Sequence, residues 1–197
     1  MKPILLFYII AVITLSVSCN RQTTPASATS EIDADSPEEK IKIIESSRDE
    51  IKWLSIEEAE QLMDITPKKI FVDVYTDWCG FCKKMDRSTF TEEDIIAYVN
   101  QHYYAVRLNA EGKDTIRFNN QAYGNDDRFH QLATKLLSGR MGFPSFAYID
   151  TDKQLITTIP GYRNNEELIV DLHFIQEEHF KTTDYDVFDK EYWERQD

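Results

Sequence analysis

Two cysteines, Cys79 and Cys82, stand two residues apart just after a run of β-forming residues, Ile70, Phe71, Val72, Val74 and Tyr75. A Cys-x-x-Cys at that place has a chemical use if a helix opens at the pair. The first thiol then faces unpaired backbone N–H groups and the positive end of the helix dipole, which stabilise its thiolate. Such surroundings bring a thiol from about 8.5 into a range of roughly 3.5–7.5, which would make Cys79 a nucleophile near neutral pH. Cys82, one helical turn on, is placed to attack the mixed disulfide that Cys79 forms and so release the partner. Lys83 and Lys84 add positive charge nearby, although lysines on a helix are commonly just solvated. Two other uses of the pair stay open: an inert structural disulfide, and half of a zinc site. Zinc normally takes four ligands. The chain has no second Cys pair, and His102, His130, His173 and His179 show no ligand spacing to the first, so no metal and no other cofactor is called for.

The elements that must hold the pair are legible around it. Lys69–Thr76 reads as a central strand, because its apolar run is nearly continuous, as in a strand buried on both faces. A helix should run from the cysteines to about Arg87, and another, capped within Thr91-Glu92-Glu93-Asp94, to about Gln101. Upstream, Ser36-Pro37-Glu38-Glu39 is a helix start. Ile51–Leu54 could be a first strand, and Ser55-Ile56-Glu57-Glu58 matches a capping box for a helix to about Asp64. Downstream, Tyr103–Asn109 is the next strand, followed by a polar stretch, Ala110–Asp127, suited to an elaborated loop or hairpin. A helix over Arg128–Leu137, strands over Phe146–Ile149 and Leu155–Ile159, and a helix from Asn165 to about Glu178 complete the pattern. The β-α-β-α-β opening predicts an α/β domain with at least one parallel crossover.

The start of the chain speaks to compartment. Lys2 followed by the uncharged, largely apolar run Ile4–Ser18 reads as an export signal, short of the roughly 20 residues of a membrane span. Leu15-Ser16-Val17-Ser18-Cys19 resembles the lipobox of bacterial lipoproteins, although Ser16 stands where that family usually has Leu. The resemblance implies cleavage after residue 18, lipidation of Cys19 and a membrane-anchored protein on the periplasmic or cell-surface side. An ordinary signal peptide, with Cys19 removed or left as a free thiol, is the alternative. Residues 19–36 hold almost no bulky apolar side chains and are expected to be a flexible tether. Lipidation would account for the odd cysteine among three. A net charge of −13 argues against nucleic acid as a partner.

The segment Phe71-Val72-Asp73-Val74-Tyr75-Thr76-Asp77-Trp78-Cys79-Gly80-Phe81-Cys82-Lys83, with Phe143-Pro144-Ser145 later, resembles thioredoxin and more closely the thioredoxin-like domains of bacterial envelope thiol-disulfide reductases. The resemblance spans about Ile51–Glu178. It implies a thioredoxin-like fold over residues 37–181, a central mixed β-sheet flanked by helices, with an insertion before a cis-proline segment. It further implies that Asp73 is a buried acid managing the proton of Cys82, and that Phe143-Pro144 is the cis-proline segment whose backbone pairs with an extended substrate. Trp78, Gly80 and Phe81 would contact that substrate, and Gly161 would be a late turn glycine. The implied activity is reduction of disulfides in exported proteins, fed by a membrane electron donor. A redox-silent scaffold or interaction lipoprotein is the competing function, and a disulfide isomerase a third, although no dimerisation domain is apparent. Three departures stand out. Gly80-Phe81 lacks the Pro that thioredoxin has between its cysteines, Phe143 replaces a small or β-branched residue, and the acidic, aromatic tail 182–197 has no thioredoxin counterpart.

Overall fold

The computed structural model describes residues 36–125 and 127–196. The expected signal peptide 1–18, the lipidation residue Cys19 and the tether up to residue 35 lie outside the described residues. Among the described residues no helix is long and apolar enough to cross a membrane.

Capping chemistry starts most of the helices. The Ser36 hydroxyl accepts the Glu39 N–H and opens α1, Pro37–Ser46. Strand β1 is only Trp53–Leu54, because the Trp53 N–H is turned back to the Ile51 carbonyl at 3.1 Å instead of a neighbouring strand. Helix α2, Ile56–Ile65, carries a complete capping box between Ser55 and Glu58. Strand β2 (Lys69–Tyr75), α3 (Gly80–Arg87), α4 (Glu93–His102) and β3 (Tyr103–Asn109) follow. Thr91 does not cap α4. It belongs to a 3-10 turn, Thr89–Thr91, where its hydroxyl donates to the Ser88 carbonyl at 2.6 Å.

The polar stretch after β3 contains a hairpin of β4 (Ile116–Phe118) and β5 (Gln121–Tyr123). Asn119 and Asn120 turn it at φ of 50° and 60°, the left-handed pair that a two-residue hairpin needs and that Asn tolerates. Helix α5 is shorter than expected, Gln131–Leu136. His130 ends the preceding loop, its Nδ1 accepting the Leu132 N–H at 3.2 Å while Nε2 lies 3.0 Å from the Asp114 carbonyl. Strands β6 (Ser145–Ile149) and β7 (Leu155–Pro160), α6 (Asn165–Gln176) and α7 (Tyr185–Glu194) complete the chain.

Five strands form one mixed sheet in the order β1-β3-β2-β6-β7. β1 and β2 run parallel to β3, whereas β6 is antiparallel to both β2 and β7. The alternation of side chains along β2 divides the core. Ile70, Val72 and Val74 join the cluster with α1, α2 and α5, while Phe71 faces residues of α3, α4, α6 and α7. Asp73 shares the parity of Phe71, which directs its carboxylate to the α3 side.

Helix α7 is fixed by one face. Phe188 and Tyr192 are buried against Phe174 and His173 of α6, and the Tyr185 hydroxyl donates to Asp171 Oδ1 at 2.5 Å. Phe→Ala at a buried site costs about 3–5 kcal/mol when the whole fold must absorb it. A terminal helix can instead detach locally. Phe188→Ala is therefore expected to make the α7 amides exchange hydrogen rapidly while β2 and β3 stay protected, which hydrogen exchange read by mass spectrometry would check.

Candidate active site

Strand β2 is buried from Ile70 to Val74 and delivers the chain to a short loop, from which α3 starts at Gly80. Cys79 occupies the N-cap of α3, and its Sγ accepts the backbone N–H of Cys82 at 3.1 Å. The two sulfurs are joined as a disulfide with an S–S length of 2.11 Å. Both residues are buried, Cys79 at 3% and Cys82 at 2% exposure, so access does not distinguish the thiols. The helix end does: Cys79 faces its N–H groups and Cys82 lies within its first turn.

Six residues before Cys79, in β2, Asp73 is 1% exposed. Its partner across the parallel β2–β3 ladder is Arg107, whose Nε and terminal nitrogen lie 3.2 and 3.1 Å from Asp73 Oδ2. That guanidinium also reaches Asp86 Oδ1 of α3 at 2.9 Å and lies over the rings of Tyr75 and Trp53. Asp73 Oδ1 has no hydrogen-bond partner among the described residues. Burial is the main reason that the Asp73 pKa rises from 3.8 to about 7; Arg107 opposes the rise and Asp86 adds to it. Arg107 and Asp86 are not among the residues picked out from sequence. Arg107 was nevertheless readable as a lone cation in an apolar strand, facing a lone acid in the neighbouring one.

The register Val74↔Ser145 brings the start of β6 beside the end of β2. The Phe143–Pro144 peptide bond there is cis. Gly161, at φ 99°, donates its N–H to the Pro144 carbonyl at 2.8 Å and ties the end of β7 to this segment. Trp78 is no core residue. It is 60% exposed, its Nε1 donates to Glu111 at 3.0 Å, and its ring meets Phe143 edge-on at 5.9 Å. Phe81 is also 60% exposed and lies 5.9 Å from Tyr162, over which Lys84 is placed at 4.3 Å. A side chain at Gly80 would meet nothing within 4 Å, so the approach past that residue is open. Trp78, Gly80 and Phe81 flank the cysteines in the chain; Phe143 and Glu111 meet Trp78, Tyr162 meets Phe81, and Asp73 is joined through Arg107 to Asp86 of α3.

A mixed sheet with helices on both faces, and a Cys-x-x-Cys disulfide capping the helix after its central strand, defines a thioredoxin-like protein disulfide oxidoreductase. Residues 56–176 match the family model described as a thioredoxin-like domain, and the chain belongs to that family. No curated protein matches the chain in sequence. Among solved structures, a DsbH oxidoreductase is 17% identical, with 65% of this chain and 85% of that one covered at a TM-score of 0.48. A thioredoxin from Thermus thermophilus is 12% identical, with 63% and 85% covered at a TM-score of 0.48. The reduced C-terminal domain of DsbD from Neisseria meningitidis is 17% identical, with 58% and 88% covered at a TM-score of 0.41.

The Asp73 shift has a consequence for stability. A carboxylate that binds its proton more tightly in the folded state favours folding while protonated, and that contribution is lost as pH rises from the unfolded value of 3.8 through about 7. The loss amounts to on the order of 4 kcal/mol. Denaturant unfolding of the oxidised protein between pH 4 and 8 should show this decline in the unmodified protein. In Asp73→Asn the decline should be much smaller.

Proposed function

We propose that this chain is a membrane-anchored envelope thiol-disulfide oxidoreductase that reduces disulfides in exported proteins. The observation that carries the reading is the N-cap position of Cys79, where a thiolate meets the Cys82 N–H and the positive end of α3. In the reduced protein, the Cys79 thiolate attacks one sulfur of a partner disulfide. A bond forms between Cys79 Sγ and that sulfur, the partner's S–S bond breaks, and its second sulfur leaves as a thiolate. Cys82 then gives its proton towards Asp73, through water where needed, and its thiolate attacks Cys79 Sγ. The first partner sulfur is released, and the chain is left with the Cys79–Cys82 disulfide. Two electrons have passed to the partner, so turnover needs a membrane thiol donor to return them. Asp73, with a pKa of about 7, can both take and give a proton near neutral pH.

Trp78, Gly80, Phe81, Phe143 and Pro144 would form the walls and floor that receive the partner, whose extended backbone pairs beside Pro144. The N-terminal sequence supports the compartment: cleavage after residue 18, lipid on Cys19 and a tether of residues 19–36 would hold the domain, 37–181, near a membrane. The tail 182–197 would then be an appendage packed on α6.

Two measurements test this reading. Cys79→Ser is expected to lose insulin-disulfide reduction to the uncatalysed level, and in the reduced protein Cys79 should be alkylated rapidly at pH 6 while Cys82 reacts slowly. Full activity in Cys79→Ser, or equally slow labelling of both thiols, would instead favour a redox-silent scaffold. For the anchor, Cys19→Ser should move the protein from the membrane fraction to the soluble fraction of cells. Unchanged fractionation would sink the lipid assignment.

A further inference from the structure

The apolar surface beside the disulfide continues past Phe143. Phe129 and Met141 are half-buried on the same core as Phe143, and the Phe129 ring lies 5.8 Å from that of Phe143. Phe129, Met141, Thr134 and Lys135 help to line a cavity of about 510 Å³. Phe129 precedes α5, and Met141 lies in the loop between α5 and β6, outside the Cys-x-x-Cys loop and the cis-proline segment.

We propose that this cavity is a separate subsite for the polypeptide partner, taking a bulky apolar side chain such as Phe or Leu from the segment that carries the reacting cysteine. The inference rests on the thiol-disulfide reading and narrows its substrate class.

The reaction itself fixes the occupant. Cys79 is only 3% exposed, so a partner sulfur has to be brought onto it by a segment laid against the aromatic side chains next to the pair, Trp78 with Phe143 and Phe81 with Tyr162. A segment leaving on the Trp78 side runs along Phe143 towards Phe129. The two ring-to-ring steps, 5.9 and 5.8 Å, put Phe129 within about 12 Å of Trp78. An extended chain advances about 3.3 Å per residue with alternate side chains on one face, so the fourth residue from the cysteine, about 13 Å on and facing as the cysteine does, is the one that matches this span. Arg128 lies 4.9 Å over Phe129, and Lys135 and Asp127 both line the cavity.

The test uses reduced Cys82→Ser protein, in which Cys79 attacks and stays joined to its target. Symmetric disulfide dimers of a short peptide are offered with Phe or Ser four residues before or after the cysteine. Each attack joins one peptide sulfur to Cys79 Sγ and releases the other peptide as a thiol, so trapping is read by mass spectrometry. On one side of the cysteine, the Phe peptide should be trapped about tenfold faster than its Ser counterpart. That ratio should fall towards one in Phe129→Ser and in Met141→Thr. Equal trapping by the protein with Phe129 intact overturns the subsite without relying on any variant's folding, as does a ratio that survives in folded Phe129→Ser. Oxidised glutathione separates the two levels of failure. If it is attacked while the peptides are not discriminated, only the subsite falls. If neither it nor any peptide is attacked, the thiol-disulfide reading falls and the subsite falls with it.

Discussion

A carboxylate held in the middle of the central strand is the constraint around which this domain is arranged. Asp73 has 1% exposure, and an isolated charge there would be costly by far more than one interaction could recover. The β2–β3 register places Arg107 directly opposite, and Arg107 can serve because it is not itself fully buried: a quarter of its side chain meets solvent, and Asp86 holds its outer edge. The pairing is incomplete, since one Asp73 oxygen is without a partner among the described residues. A fold selected for stability alone would favour an apolar residue here. Retaining the acid makes sense if its proton is used.

The same strand explains how much could be read in advance. The nearly continuous apolar run of β2 and the β-α-β-α-β order specified an α/β domain, and its mixed sheet follows from the resemblance carried by Phe71–Lys83 and Phe143–Ser145. Local capping signals at Ser36 and Ser55 are short-range hydrogen-bond patterns, so the sequence displays them directly. What stayed hidden depends on distant groups. β1 shrank to two residues because of a local backbone turn, and α5 began late because His130 is engaged with Asp114, sixteen residues earlier. Trp78 shows the limit most plainly. The resemblance set it beside the site, yet what holds its indole at the surface is Glu111, from the loop after β3. No local pattern announces that contact.

The two thiols illustrate how backbone, and not exposure, can set chemistry. Cys79 and Cys82 are about equally buried, so desolvation disfavours both thiolates to a similar degree. Their difference comes from one helical turn: the N-cap sulfur collects an N–H and the dipole, and the sulfur inside the turn does not. Under the proposed reaction this asymmetry orders the events. The stabilised thiolate attacks first, and the second thiol waits for a base, for which Asp73 near neutrality is suited.

Charge and shape divide the remaining work. At physiological ionic strength the field of an exposed charge fades over about 8 Å, so a net charge of −13 governs approach more than contact. It disfavours acidic partners at long range, and nothing about it selects a cysteine. Selection must act at short range, where Trp78 and Phe81, each 60% exposed, flank the buried disulfide. Large apolar side chains left in water are unfavourable until something covers them, and under the proposed reaction covering them would also bring a partner sulfur towards Cys79. The free energy of contact is thereby tied to the geometry of attack, so a partner that fits the aromatic walls is also one whose disulfide is presented for exchange.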